Sequence, residues 1–174
     1  MAFKHKSGIL GLQAIADTVV GITREGTVYP PWPLGSRVVA EDATYGIGEF
    51  VYLKGVASTV VGSVVQFNED EGTTALLDSD VADTLIGPVA VAMSINVADQ
   101  YGWYQVRGKG VALGAASLAD GAKVFPTATA GTVDDSGTGG QQIVGAKTAS
   151  ALDTPSTGFF EIELDHPWIG VNVA

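Results

Sequence analysis

From about residue 36 onward, apolar positions alternate with polar or small ones in short runs, each closed by Gly, Pro, Asn or Asp. A period of two marks half-buried β-strands, because successive side chains leave a strand on opposite faces. The clearest run sets Val89, Val91, Met93 and Ile95 on one face and Ala90, Ala92 and Ser94 on the other. One face can then fill a core while the small side chains of the other admit close packing. A second run places Phe160, Ile162 and Leu164 inside, with Glu161, Glu163 and Asp165 outside. Further strands are expected at roughly 36–41, 48–54, 59–67, 104–113, 121–125 and 141–147.

Between these runs, Asn68 to Gly72, Asp134 to Gly140 and Asp153 to Gly158 are rich in residues that accept left-handed backbone or form side-chain turns. The best helix candidate, Ser79 to Leu85, offers at most two turns. Closely spaced strands without intervening helices predict an all-β barrel or sandwich. The first 35 residues differ. Gly8, Gly11 and Gly21 interrupt their apolar stretch, and Pro30, Pro31 and Pro33 around Trp32 favour extended backbone. Residues 1–35 therefore read as an N-terminal arm and proline-rich hinge, and 36–174 as a single β domain; an edge strand and turn within that domain is the competing reading.

With 174 residues the chain suits one domain, and its 23 glycines and 16% charged residues suit a turn-rich fold with little solvated helix. The net charge of −10 opposes nucleic-acid binding, which needs a positive field. The charge is uneven, however: Lys4, Lys6, Arg24 and Arg37 face only Asp17 and Glu25 in the first stretch, as suits an arm lying on an acidic surface. The absence of cysteine removes disulfides, thiolate metal sites and cysteine nucleophiles. No apolar run reaches membrane-span length and no secretory leader is evident, so a soluble, cytosol-made chain is expected.

Candidate chemistry is sparse. The two histidines, His5 and His166, stand near opposite ends of the chain, so no histidine-based metal site is expected. The acidic loops Glu69-Asp70-Glu71 and Asp78-Ser79-Asp80 match no EF-hand and read as solvated carboxylates. The context Asp165-His166-Pro167-Trp168 reads as a strand exit and turn rather than a catalytic base, and no serine occupies a G-x-S-x-G elbow. Gly46-Ile47-Gly48 and Gly108-Lys109-Gly110 lack the setting of a phosphate loop and read as bulges or close backbone approaches. No cofactor is expected. Strand alternation instead puts Trp103, Gln105, Arg107 and Lys109 on one side, a candidate protein-contact strip, since Trp and Arg are favoured at interfaces; the competing reading packs Trp103 under a loop and leaves Arg107 and Lys109 solvated. Lys4, Lys6, Arg24 and Trp32 of the arm join it as contact candidates.

The segments Gly48-Glu49-Phe50-Val51-Tyr52-Leu53-Lys54-Gly55-Val56, Gly87-Pro88-Val89-Ala90-Val91-Ala92-Met93 and Tyr101-Gly102-Trp103-Tyr104-Gln105-Val106 together resemble tailed-phage capsid decoration, or cement, proteins. The likeness covers mainly residues 36–113. It implies a β-barrel or β-tulip domain on the outer surface of the virion capsid, bound to the major capsid protein, often as a homotrimer, stabilising the shell by bridging neighbours without enzymatic activity. A tail or head-fibre component is the alternative within structural proteins. A small-ligand barrel lined by Phe50, Tyr52, Val91 and Met93, and more distantly a carbohydrate-active enzyme using loop acids, are the alternatives outside it.

Overall fold

The computed structural model describes residues 3–5, 12–80, 86–115, 117–137 and 141–170. Lys6 and residues 81–85 of the helix candidate lie outside the described residues. The protein is all-β, with no α-helix among the described residues. Its strands are β1 (Lys4–His5), β2 (Val19–Val20), β3 (Ile22–Arg24), β4 (Thr27–Tyr29), β5 (Arg37–Asp42), β6 (Gly46–Lys54) and β7 (Val64–Phe67). There follow β8 (Thr74–Leu76), β9 (Gly87–Ala92), β10 (Gln100–Leu113), β11 (Phe125–Pro126), β12 (Val133–Asp134), β13 (Val144–Thr148) and β14 (Phe159–Ile169).

The long strand β10 is the spine. One of its edges pairs with β6 from Tyr101 to Arg107. Along its other edge it pairs in turn with β2 at Gln100–Tyr101, β9 at Tyr104–Gln105 and β14 from Arg107 to Leu113. β9 continues to β7 and β7 to β8, while β6 continues to β5 and β5 to β1. All these pairings are antiparallel, which gives short connections and sheets able to curl. The curl nearly closes where Lys54 at the end of β6 meets the start of β8: Lys54 bridges Thr73 and its N–H donates to the Gly72 carbonyl at 2.8 Å. The result is a small barrel of β6, β10, β9, β7 and β8.

Both faces of the central strands are covered, and this divides the core into three parts. Val51, Leu53, Val65, Phe67, Ala90, Ala92, Tyr104 and Val106 fill the barrel interior. On the other face of β6 and β10, Phe50, Tyr52, Tyr101 and Trp103 pack with Phe3, Ile15 and Met93. On the other face of β9, Val89 and Val91 pack with Phe160, Ile162, Leu164 and Ile169 of β14, and with Val124, Val133 and Ile143 from the C-terminal half. Each large side chain so buried contributes about 1.5–3 kcal/mol of hydrophobic stabilisation before chain entropy is charged against it. The run at Val89 behaves as its alternation implies only as far as Ala92; the strand ends there, Met93 turns into the Phe3 and Trp103 cluster, and Ile95 is exposed.

The first stretch of the chain lies along the domain. β1 pairs with β5 through Lys4–Glu41 and His5–Ala40, and Ile15 is fully buried. Gln13 pins this stretch to the aromatic face: its Oε1 accepts from the Tyr52 hydroxyl at 3.0 Å, and its carbonyl accepts from the Trp103 indole N–H at 3.1 Å. Ser94 and Thr18 add hydrogen bonds that tie residues 17–18 to the turn after β9. The proline-rich segment carries Trp32 and Leu34 against the same cluster. Between them, β3 and β4 form a separate two-stranded ribbon whose turn, Glu25-Gly26, takes left-handed backbone at both residues.

β14 runs past the point where the sequence suggests an exit. His166 adopts φ 46°, which inserts extra backbone opposite Gly145 of β13 and reverses the alternation. Leu164 faces inward before it, and Pro167 and Ile169 face inward after it. Asp165-His166-Pro167-Trp168 is therefore a bulge within a continuing strand and not a turn.

Candidate interaction surfaces

At Arg107 the spine and β6 part company, and the two glycine-rich strings of the sequence meet there. Gly108 takes φ +94°, and a Cβ on it would stand 2.4 Å from the Ile47 carbonyl oxygen. Only glycine on β10 lets the two backbones approach this closely. Gln105 completes the bend: its Nε2 donates to the carbonyls of Arg107 at 3.1 Å and of Lys109 at 3.0 Å, replacing the neighbour strand that has left. Its Oε1 occupies the space above Gly110, where a Cβ would lie 2.1 Å away.

The divergence opens a surface groove of about 730 Å³, walled by Val39, Ile47 and Glu49 on one side and Glu163, Leu164 and Asp165 on the other, with Arg107 and Lys109 at its base. Its charges pair across strands. Arg107 stands 3.5 Å from Asp165, Lys147 stands 2.8 Å from Glu163, and Lys109 pairs with Glu161. The Glu163 carboxylate raises the Lys147 pKa, by hydrogen bond and by charge. His166 reaches toward Glu49 at 3.4 Å and Asp165 at 3.5 Å. Such exposed pairs add little stability, but they hold long side chains in fixed positions around the apolar Val39 and Ile47. Lys4 joins the same face, because Lys4, Glu41 and Ile47 form one row across β1, β5 and β6.

Two further exposed apolar patches lie elsewhere. On the ribbon, the cross-strand pair Ile22 and Tyr29 is about half exposed, and Val20, Pro30 and Pro31 border it. Near the bulge of β14, Trp168 is 48% exposed and lies in a row with Val144 of β13 and Pro88 of β9. Beside Trp168 a depression of about 130 Å³ opens at the barrel mouth, lined by Phe67, Val89, Val106 and Pro167, with Arg37, Glu69 and His166 at its rim.

The sequence-derived contact residues thus separate. Lys4, Arg107 and Lys109 are gathered around the groove. Arg24 is exposed on the ribbon, and Trp32 is partly buried under it. Trp103 and Gln105 are corrected: alternation puts them on a side with Arg107 and Lys109, but Trp103 is covered by the Ile15 segment and is 1% exposed, and Gln105 is folded against Gly48 and Gly110 and is 0% exposed. The four residues proposed to line a ligand barrel do not share an interior: Phe50, Tyr52 and Met93 pack with the N-terminal stretch, and Val91 packs against β14. Among the described residues no three metal-ligating side chains converge. Sequence reasoning missed Trp168, Ile47 and the ribbon; the bulge that turns Trp168 outward leaves no signature beyond the His166-Pro167 pair.

Fold and surface together define a filled β-body whose distinctive features are outward-facing. No protein-family model matches the chain, and no curated protein matches it.

Proposed function

We propose that the protein is a non-enzymatic structural subunit of a phage virion, which decorates the outer capsid surface and stabilises the shell by bridging neighbouring major capsid proteins. The observation that supports this reading best is an interior filled by its own side chains combined with apolar surface at separate places on one rigid body. A body of this kind can touch two partners at once. Packaged DNA pushes outward on a shell of many weak contacts, and each added contact is multiplied by the symmetry of the shell. The groove between Ile47 and Asp165 is the surface assigned to the shell: Arg107 and Lys109 form its base, the apolar Val39 and Ile47 stand on one wall, and Lys4 lies in the same row as Ile47.

The test is co-sedimentation of purified protein with expanded capsids of the virus that encodes it, followed by heating and osmotic shock. Bound protein and prolonged survival of decorated shells are expected, and Ile47→Asp should weaken binding at least about tenfold. Protein that stays in the supernatant, or shells that survive equally well without it, would sink the proposal.

A further inference from the structure

β6 and β14 supply opposite walls of the groove and are not paired with each other. Among the described residues one ion pair joins them: His166 of β14, whose Nε2 stands 3.4 Å from the Glu49 carboxylate of β6. The other ring nitrogen, Nδ1, stands 3.5 Å from the Asp165 carboxylate. The bulge makes this arrangement possible. Consecutive side chains of a regular strand leave opposite faces, but Asp165 and His166 both face outward, because His166 takes left-handed backbone at φ 46°. The ring therefore has a carboxylate at each nitrogen. A neutral imidazole has one N–H and must turn a bare lone pair toward one of them, whereas an imidazolium has an N–H for each. Carboxylates on opposite nitrogens cannot converge on one ion, so the arrangement suits a proton and not a metal. The other charges facing this place are Arg37 of β5, 3.7 Å from Glu49 and 3.6 Å from Glu69 of the turn after β7, and Arg107 of β10, 3.5 Å from Asp165. Three carboxylates thus stand around the ring against two guanidinium groups. The ring is 49% exposed, so protons reach it from solvent without any opening of the fold.

We propose that His166 is a proton-operated latch on the groove. The imidazolium ties Glu49 on one wall to Asp165 on the other and holds the walls together; loss of its proton leaves a lone pair against a carboxylate and lets them part. The latch closes on acidification and opens as pH rises through the range in which imidazoles lose their proton. Its use, as a control on attachment, rests on the groove being the shell-facing surface. Its existence does not, and it is tested on the chain alone, so it can fail while shell binding stands.

The experiment is amide hydrogen exchange by NMR on the full chain at about pH 5.5 and about pH 8, on either side of that range, with rates divided by those of an unstructured chain at the same pH. The chain has two histidines, so His166→Asn and His5→Asn separate the sources of any response. Asparagine also accepts left-handed backbone, which leaves the bulge intact. In the native chain the amides of Gly48, Glu49, Asp165 and His166 should be protected roughly two- to fivefold more at the lower pH, the range of an exposed ion pair. His166→Asn should abolish the difference and His5→Asn should keep it. Glu49→Gln, which leaves β14 untouched, should abolish it as well, and serves alone if His166→Asn does not melt cooperatively. Equal protection at the two pH values in the native chain would overturn the proposal. So would a difference that survives in the folded His166→Asn or Glu49→Gln chain, or one that vanishes in His5→Asn.

Discussion

Gln105 shows how one side chain can stand in for a strand. Its amide donates to the carbonyls of Arg107 and Lys109 beside the point where β6 diverges, and the Gln105 side chain is itself wholly buried. Gln105→Leu should therefore cost about 2–3 kcal/mol, read as a lowered urea midpoint at unchanged slope. Gly110→Ala should cost a comparable amount, because its Cβ would press on the Gln105 oxygen and that side chain has nowhere to move. Unchanged midpoints would refute the stapled bend.

Two phenols give a second test at this scale. Burial pushes Tyr104 up to about 12, with the nearby polar side chains of Thr74, Asn96 and Thr59 opposing it, and burial followed by the charge of Tyr101 pushes Tyr52 up to about 12. Unfolded phenols ionise near pH 10, so between pH 10 and 12 the folded chain holds protons that the unfolded chain releases. The stability these groups contribute is whole below pH 10 and is lost as pH rises toward 12. Denaturant midpoints should fall across that window, and Tyr104→Phe should reduce the fall while changing stability at pH 7 by less than about 1 kcal/mol, since the buried hydroxyl makes no well-formed hydrogen bond. A fall of equal size in Tyr104→Phe would contradict the assignment. Little of this was legible in the sequence. Alternation placed Trp103, Gln105, Arg107 and Lys109 on one side, but it cannot show the register irregularity between Gln105 and Arg107 or which positions a distant segment will cover.

At the scale of elements, the strands most readable from sequence were those with strong period-two patterns. The first part of β14 follows its alternation closely, since one side chain in two has to reach a core, whereas β6 buries both faces from Phe50 to Leu53. The short strands β1, β2, β3, β4, β8, β11 and β12 are two or three residues long, too short for any period to show. The first 35 residues were hard to read for a related reason: glycine and proline signal irregular backbone, and irregular backbone can pack as closely as a strand. Phe3 and Ile15 are core residues, and Gln13 holds Tyr52 and Trp103. Removing residues 1–20 should therefore uncover the aromatic face, destabilise the fold by several kcal/mol and shift the Trp103 emission to longer wavelength. A truncated chain with native stability and unshifted emission would mean that this stretch is dispensable to the fold.

At the scale of the whole molecule, the body is stiff because its central strands are packed on both faces and its barrel interior is full. Stiffness is what a bridging subunit requires, because a compliant bridge would let its two attachment points drift apart under load. Under the proposed function the Ile47 groove is the surface that would meet the shell. The all-β class was readable from turn chemistry and alternation, whereas the exposed surfaces depend on register, bulges and the path of the first 35 residues, which no local pattern encodes. Electron microscopy of intact particles tests the central claim most directly. The account expects density for this chain on the outer face of the capsid, spanning boundaries between major capsid proteins with the Ile47 groove against the shell; density confined to the tail, or none on the particle, would contradict it.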